Sequence, residues 1–452
     1  MSENRAVQSP PDELHSQTMQ LTMGPSHPAM HGIIEIRLVL DGEKVMQAEV
    51  EIGYLHRAFE KSCEQGGWNN AFPYTDRLNY VSPLINNVGY AMAVEKLLGI
   101  QTTERCNTIR VLMSELSRVT DHMTCIGASA MELGAMSVFL YLMKAREFLY
   151  DLVEAVTGAR LTISYLRVGG VKADLPEGFA PRTRKAIADS REVLSEVDKL
   201  LTRNRIFVDR MQGTGVCTKE QAISYGITGP FLRSTGIDFD VRKANPYLIY
   251  DQLDWDVPIG SVGDNYDRYL VRMAEIEQSF RIVEQCLGRM PEGPLNVDAE
   301  GKQMAPETMV DLAKLGRTEG LIQRPVLVEP TLEGSQRARA QIVNVYDRRV
   351  VLPPKEETYA SIEGLMNHFK IIMSGHGIRP PAGEAYQAVE GANGELGFYV
   401  VSDGGDRPWR VRCRPPCFPI MALLSELLVG EMVADIVPTF GSVNMIGGEL
   451  DR

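Results

Sequence analysis

One long helix-period run constrains this chain more than any other feature. Thr102-Thr103 form an N-cap followed at once by Glu104. From Ile109, apolar or small residues fall at 112, 116, 119, 123, 126, 130, 133, 137 and 140. Steps alternating between three and four keep one stripe facing a partner helix. The run is predicted to continue to about Val156, where Gly158 stops it. Further helices are expected at about Asn86–Leu98, Arg182–Leu201, Asn265–Met290, Ser361–Met373 and Ile420–Val433. Their leucines and methionines read as the core of a bundle.

From Met123 to Met143 the only charged side chain is Glu132, and the length would suffice to cross a bilayer. The central carboxylate, two internal glycines and the lack of one-sided basic flanks favour a core helix buried on all sides instead. An apolar content of 44% against 23% charged residues is that of a soluble globular protein with a sizeable core. The net charge of −12 argues against nucleic acid or anionic lipid as a main partner. Seven scattered cysteines and no signal peptide indicate a reducing compartment without a disulfide framework. Cys413 and Cys417, with two prolines between them, do not read as a metal knuckle.

Shorter elements flank the bundle. Residues 1–20 have no hydrophobic period and read as a flexible, loosely docked arm. Alternating segments Ile33–Leu40 and Val45–Ile52, joined by Asp41-Gly42, predict a β-hairpin. Ser62–Pro83 reads as loop with a short helix. Strands are expected at about 385–390, 396–402 and 409–414, with Gly404-Gly405 in a turn. The fold class is therefore α+β, mainly α: a helical bundle with small antiparallel sheets at both ends. Its parts are the arm, a hairpin and site segment at 21–100, the bundle at 101–291, an insertion at 292–356, and C-terminal helices with a small sheet at 357–452.

Three pieces near the hairpin concentrate chemistry. Gly24-Pro25-Ser26-His27-Pro28-Ala29-Met30-His31-Gly32 places two histidines in a stiffened loop. Gly53 to Lys61 adds His56 and Arg57, and Asp76-Arg77-Leu78-Asn79-Tyr80 adds an arginine and a tyrosine. Such residues between rigid turns suit an ordered site.

These stretches resemble the family of complex I D subunits, the quinone-side component of NADH-quinone oxidoreductase, itself similar to the large subunit of nickel–iron hydrogenases. So do Glu95-Lys96-Leu97-Leu98-Gly99, Glu132-Leu133-Gly134-Ala135-Met136, Gly158-Ala159-Arg160, the turn from Gly375 to Glu384, and Gly448-Glu449-Leu450-Asp451-Arg452. The resemblance implies a hydrogenase-like fold and a proton-translocating oxidoreductase subunit that is not catalytic alone. It implies a peripheral place on the cytoplasmic side of the inner membrane. The B, C and I subunits and the membrane-embedded H subunit are the implied partners. Quinone is the implied substrate, and no cofactor is implied in this chain.

Hydrogenases hold nickel and iron through two Cys-x-x-Cys pairs, because soft metals need thiolates. Here Asn79 and Ser82 occupy the N-terminal cysteine places, and Ser442 to Arg452 contains no cysteine. The resemblance assigns the vacated cavity to a quinone headgroup. It implies that His31 and Tyr80 hydrogen-bond the two quinone carbonyls, and both side chains can donate. Glu132 matches an acidic residue, usually aspartate, that partners His31. Arg77 matches an arginine beside the terminal 4Fe–4S cluster of the neighbouring subunit. Thr162 stands where the family commonly has a histidine that links cluster reduction to proton uptake. His27, His56 and His122 take structural readings, with His56 bonding backbone and His122 facing solvent from a helix. His376, in a glycine-rich turn, has no assigned role. An active hydrogenase subunit and a structural scaffold with a degenerate cavity are the competing readings.

Overall fold

The computed structural model describes residues 18–297 and 377–452 throughout, the strands at 322–327 and 340–345, and single positions between 359 and 373. At the N-terminal end, β1 (Thr18–Met23), β2 (Glu35–Asp41) and β3 (Lys44–Glu51) form an antiparallel sheet in the order β1-β2-β3. The predicted hairpin is β2–β3, turned at Gly42, whose φ of 61° favours glycine. The arm is shorter than expected. Thr18, Met19 and Gln20 already pair with Asp41, Leu40 and Val39, because an edge strand is held by backbone hydrogen bonds that need no apolar alternation.

Two short helices, α1 (Phe59–Gln65) and α2 (Phe72–Thr75), make the segment after the hairpin more helical than expected. They lead into α3 (Pro83–Leu98) and α4 (Glu104–Glu132). The Thr103 side chain accepts from the Cys106 N–H, so the predicted cap is formed. The long run, however, is two helices. At Gly134 the chain takes a φ of 90°, and α5 (Met136–Thr157) folds back against α4 before ending at Gly158 with φ 84°. Leu112, Leu116, Val119, Met123, Ile126 and Ala130 are buried on α4, whereas Leu140, beyond the turn, is 60% exposed. The stripe therefore breaks at 134, because only glycine adopts that left-handed turn cheaply. Among the described residues no helix is long and apolar enough to cross a membrane.

After the two-residue strands β4 (Leu166–Arg167) and β5 (Gly170–Val171) comes α6 (Phe179–Leu201). Four short helices follow that periodicity did not reveal: α7 (Arg205–Met211), α8 (Lys219–Ser224), α9 (Gly229–Ser234) and α10 (Val241–Ala244). Helix α11 (Asn265–Gly288) packs along α4, matching the expected span. Most of the 292–356 insertion lies outside the described residues. Its β-rich pieces are the antiparallel pair β6 (Ile322–Leu327) and β7 (Ala340–Val345). The expected 361–373 helix also lies largely outside them, and positions 362, 365, 366, 368 and 369 are helical.

The second sheet comprises β8 (Gly383–Glu390), β9 (Glu395–Ser402) and β10 (Arg410–Arg414), in the order β10-β9-β8. The outer edge of β10 is closed by carboxylates of α1: Cys413 N–H donates to Glu60 at 2.9 Å and Val411 N–H to Glu64 at 3.3 Å. The expected last helix, Ile420–Val433, is instead α12 (Cys417–Leu427) and α13 (Val433–Val443), followed by α14 (Gly447–Leu450). Gly430, at φ 92°, breaks the run, and its N–H donates to the Val45 carbonyl at 2.8 Å. The final residues return to the N-terminal segment. Asp451 accepts from Gly53 N–H at 3.0 Å and Leu55 N–H at 2.7 Å. A Cβ on Gly448 would overlap the carbonyls of Arg77 and Leu78, so only glycine fits beneath them. One core lies within the bundle and against the second sheet, and another lies between the first sheet, α12 and α13.

Candidate functional site

His31 closes the one-turn helix Pro28–Met30 in a left-handed conformation, φ 55°. This turn aims its ring at the C-terminal end of α4, where Nε2 lies 3.2 Å from Glu132 Oε1. The ring also meets Phe440 edge-on, with centroids 5.6 Å apart. His31 is 40% exposed at its side chain and Glu132 only 9%, so the pair has one open and one buried member. The expected partnership is formed, with glutamate spanning the distance. The second carboxyl oxygen, Oε2, is buried without a hydrogen-bond partner among the described residues.

Tyr80 belongs to the loop entering α3 and is 37% exposed. Burial, the charge of Asp121 and the neighbouring Cys417 push its phenol pKa up, so it is protonated at neutral pH. The loop is tied down by the two residues in the cysteine places. Asn79 Nδ2 donates to Asp121 Oδ2 at 2.8 Å, and Ser82 Oγ donates to the same oxygen at 2.6 Å. Asn444 Nδ2 supplies a third donor, to Asp121 Oδ1 at 2.8 Å. Two amides and a hydroxyl thus ring the Asp121 carboxylate and fix the loop that carries Tyr80. Among the described residues no group of three or more histidine, cysteine or acidic side chains could hold a metal ion. Among the described residues no hydrogen bond or ring contact joins Tyr80 to His31; His31 meets α4 at Glu132, and the Tyr80 loop meets it at Asp121 through Asn79 and Ser82.

Arg77 is exposed, its Nη1 donating to the Pro73 carbonyl at 2.6 Å, and its own carbonyl accepts from Arg57 at 2.5 Å. Burial and the Arg77 charge depress the pKa of Arg57, marking a cationic surface here. Nearby, Thr162 has a φ of 53°, a strained conformation for a β-branched residue. Arg160 is held on the surface by Glu147, Asp151 and Glu154.

The remaining histidines divide. His27 Nδ1 accepts from Ala29 N–H at 3.2 Å, and His56 Nδ1 bonds the Asp451 carbonyl at 2.8 Å, as structural readings require. His376 lies outside the described residues. His122 does not face solvent. It is fully buried, with Nε2 2.9 Å from Glu275 Oε2, and burial pulls its pKa down against the attraction of that carboxylate. Glu275 pairs with Arg233, which reaches Glu390 and Asp240; Asp240 pairs with Arg242, and Arg242 and Arg118 share Glu115. Sequence reading missed this cluster because its members come from α4, α9, α10, α11 and β8. Asp121, Asn444, Cys417 and Glu449 were missed for the same reason; the one signal available was Asp121-His122 inside an apolar stripe.

Residues 132–452 match the family model described as respiratory-chain NADH dehydrogenase, 49 Kd subunit. The chain is 49% identical over 441 residues to an NADH-quinone oxidoreductase D subunit of Sorangium cellulosum, with 97% of each chain covered. It is 46% identical over 439 residues to the NADH-quinone oxidoreductase D subunit of Myxococcus xanthus, covering 97% of this chain and 94% of that one. The NADH-quinone oxidoreductase C/D subunit of Bdellovibrio bacteriovorus is 42% identical over 449 residues, covering 99% of this chain and 71% of that protein.

Proposed function

The chain belongs to the respiratory-chain NADH dehydrogenase 49 Kd subunit family, and we propose that it forms, with an adjacent Fe–S subunit, the site where quinone is reduced. Electrons come from the terminal 4Fe–4S cluster of that neighbour, and the assembled complex I couples their transfer to proton translocation. In this reading the chain is the D subunit, docked against the B, C and I subunits and the membrane-embedded H subunit. It lies peripherally on the cytoplasmic side of the inner membrane, holds no cofactor of its own and is not catalytic alone. The relative that carries C and D in one protein supports the placement beside C.

The observation that carries the reading is the His31–Glu132 pair at 3.2 Å. A buried carboxylate that bonds one ring nitrogen of an exposed histidine orients the ring. With Nε2 turned to Glu132, Nδ1 can donate to one quinone oxygen when the ring carries its second proton. The Tyr80 hydroxyl, with no hydrogen-bond partner among the described residues, suits the other. Two donors on two oxygens are what a two-electron, two-proton reduction requires. Arg77, exposed beside Arg57, is the cation that would favour the reduced cluster of the neighbour.

Tyr80→Phe tests this. The change removes a proton donor without breaking an internal hydrogen bond. Quinone reduction is expected to fall on the order of 10²–10⁴-fold while NADH still reduces the Fe–S clusters. A near-wild-type rate with a short-chain quinone would sink the assignment and favour the scaffold reading.

A further inference from the structure

The outer face of β10 carries arginines at alternate positions, Arg410, Arg412 and Arg414, while Val411 and Cys413 between them are buried. Two residues of strand advance about 7 Å, so the three charges form an evenly spaced row. The row borders a cleft with two lobes, of about 430 Å³ and about 420 Å³. Arg410 lines the first lobe and Arg414 the second, and Arg412, Phe418 and Arg452 line both. The cleft therefore runs along the strand.

The chain has a net charge of −12, yet five lysine and arginine side chains and only two acids line this cleft. Both acids are engaged by backbone: Asp451 by the Gly53 and Leu55 N–H groups, Glu60 by that of Cys413. Lys61 and Arg410 share Glu64, at 2.9 Å and 3.3 Å. The other three bases are loosely neutralised. Arg412 stands 3.7 Å and Arg452 3.9 Å from Glu60, and Arg414 stands 3.9 Å from Glu395. Arg191, by contrast, meets Glu277 and Glu284 at 2.7 Å each. Arg414 donates to the carbonyls of Glu395 at 2.7 Å and Gly226 at 2.8 Å, which fix its charge in place. The Arg452 guanidinium lies 4.7 Å from the ring centre of Phe418, which is 42% exposed.

We propose that this cleft receives an extended acidic segment of a neighbouring subunit, whose carboxylates at alternate positions face Arg410, Arg412 and Arg414. An extended chain has the two-residue repeat of β10, so alternate acids meet the row in register. The guanidinium fork takes a carboxylate through two N–H bonds, which suits arginine to this task. Phe418 and Tyr386, both exposed in the cleft, give the segment apolar surface to cover. A lipid headgroup would bring one phosphate, whereas the row offers three aligned charges. The proposal rests on the chain being docked in a multi-subunit complex and not on the quinone site.

Arg412 is the residue to test, because its side chain is 58% exposed and its one carboxylate partner among the described residues is distant. Arg412→Glu should leave the thermal melt of the full chain unchanged and lower the yield of assembled complex on the order of ten-fold, scored as subunits co-purified with it. Arg412→Lys places an amine in the cleft. Carbodiimide treatment of the purified complex should then join that amine to an aspartate or glutamate of another subunit, within a run of acids at alternate positions. Should Arg412→Glu unfold the chain, this cross-link alone decides. A wild-type yield from Arg412→Glu, or an amine coupled only to Glu60, overturns the proposal. So does binding of the wild-type chain to vesicles of anionic phospholipid that Arg412→Glu abolishes, which would assign the cleft to headgroups. Assembly is scored without turnover, so failure here leaves the Tyr80 assignment standing, and a fast Tyr80→Phe complex leaves the cleft standing.

Discussion

Gly441 on α13 lies so close to Glu132 that a Cβ there would overlap Oε2. The obstructing atom is the free end of a flexible side chain, which can swing away. Gly441→Ala should therefore leave stability unchanged or raise it by up to about 1 kcal/mol, alanine being the better helix former. The same change should displace the carboxyl from His31 and slow quinone reduction on the order of ten-fold. Thermal melts and turnover of the one variant decide it, and full activity would detach Glu132 from the site.

Thr162 yields the second expectation. A centre that takes up a proton on reduction loses about 59 mV of potential per pH unit. With threonine at 162, the neighbouring cluster should have a potential nearly flat from about pH 6 to about pH 8, the range in which a histidine titrates. Thr162→His should introduce a slope, and the backbone favours the change, because histidine tolerates the positive φ of 53° better than threonine does. Redox titration followed by EPR at several pH values measures this. A full slope in the unmodified complex would exclude it.

The buried ion cluster gives the third. Burial opposes ionisation of Glu115, yet Arg118 and Arg242, with bonds from Tyr250 and Ser279, hold its carboxyl down to about 2. A carboxyl lowered from 4.5 to about 2 on folding adds stability that is full above the higher value and lost as pH falls through the lower. Glu115→Gln takes from Arg118 its carboxylate partner and from Arg242 one of two, and should cost about 3–5 kcal/mol near pH 7. It should also weaken the acid dependence between those two values. Urea denaturation at about pH 7 and about pH 3 checks both signs. Equal losses at the two pH values would show that Glu115 contributes packing and not charge.

The sequence carried local structure well and distant partnership poorly. Asp41-Gly42, the Thr103 cap and the Gly158 stop act through their own backbones, so each could be read directly. Gly134 was hidden because its apolar neighbours continue the helical period through the turn. Pro438 inside α13 disguised a helix that packing maintains. At the site, the resemblance paired His31 with Glu132, and the structure brings them together. His122 was misplaced because its partner Glu275 is 153 positions away and leaves no trace in the local pattern.

The bonds from Asp451 to Gly53 and Leu55 also set an order of events on the ribosome. Gly53 emerges 398 residues ahead of the carboxylate that anchors it. Gly448, the wedge under the Arg77 and Leu78 carbonyls, is translated equally late. The stretch bearing Arg57, Arg77 and Tyr80 must therefore wait, partly folded, until almost all the described chain has been made. A product truncated anywhere before Gly448 would present the first sheet and much of the bundle yet lack the floor of the site.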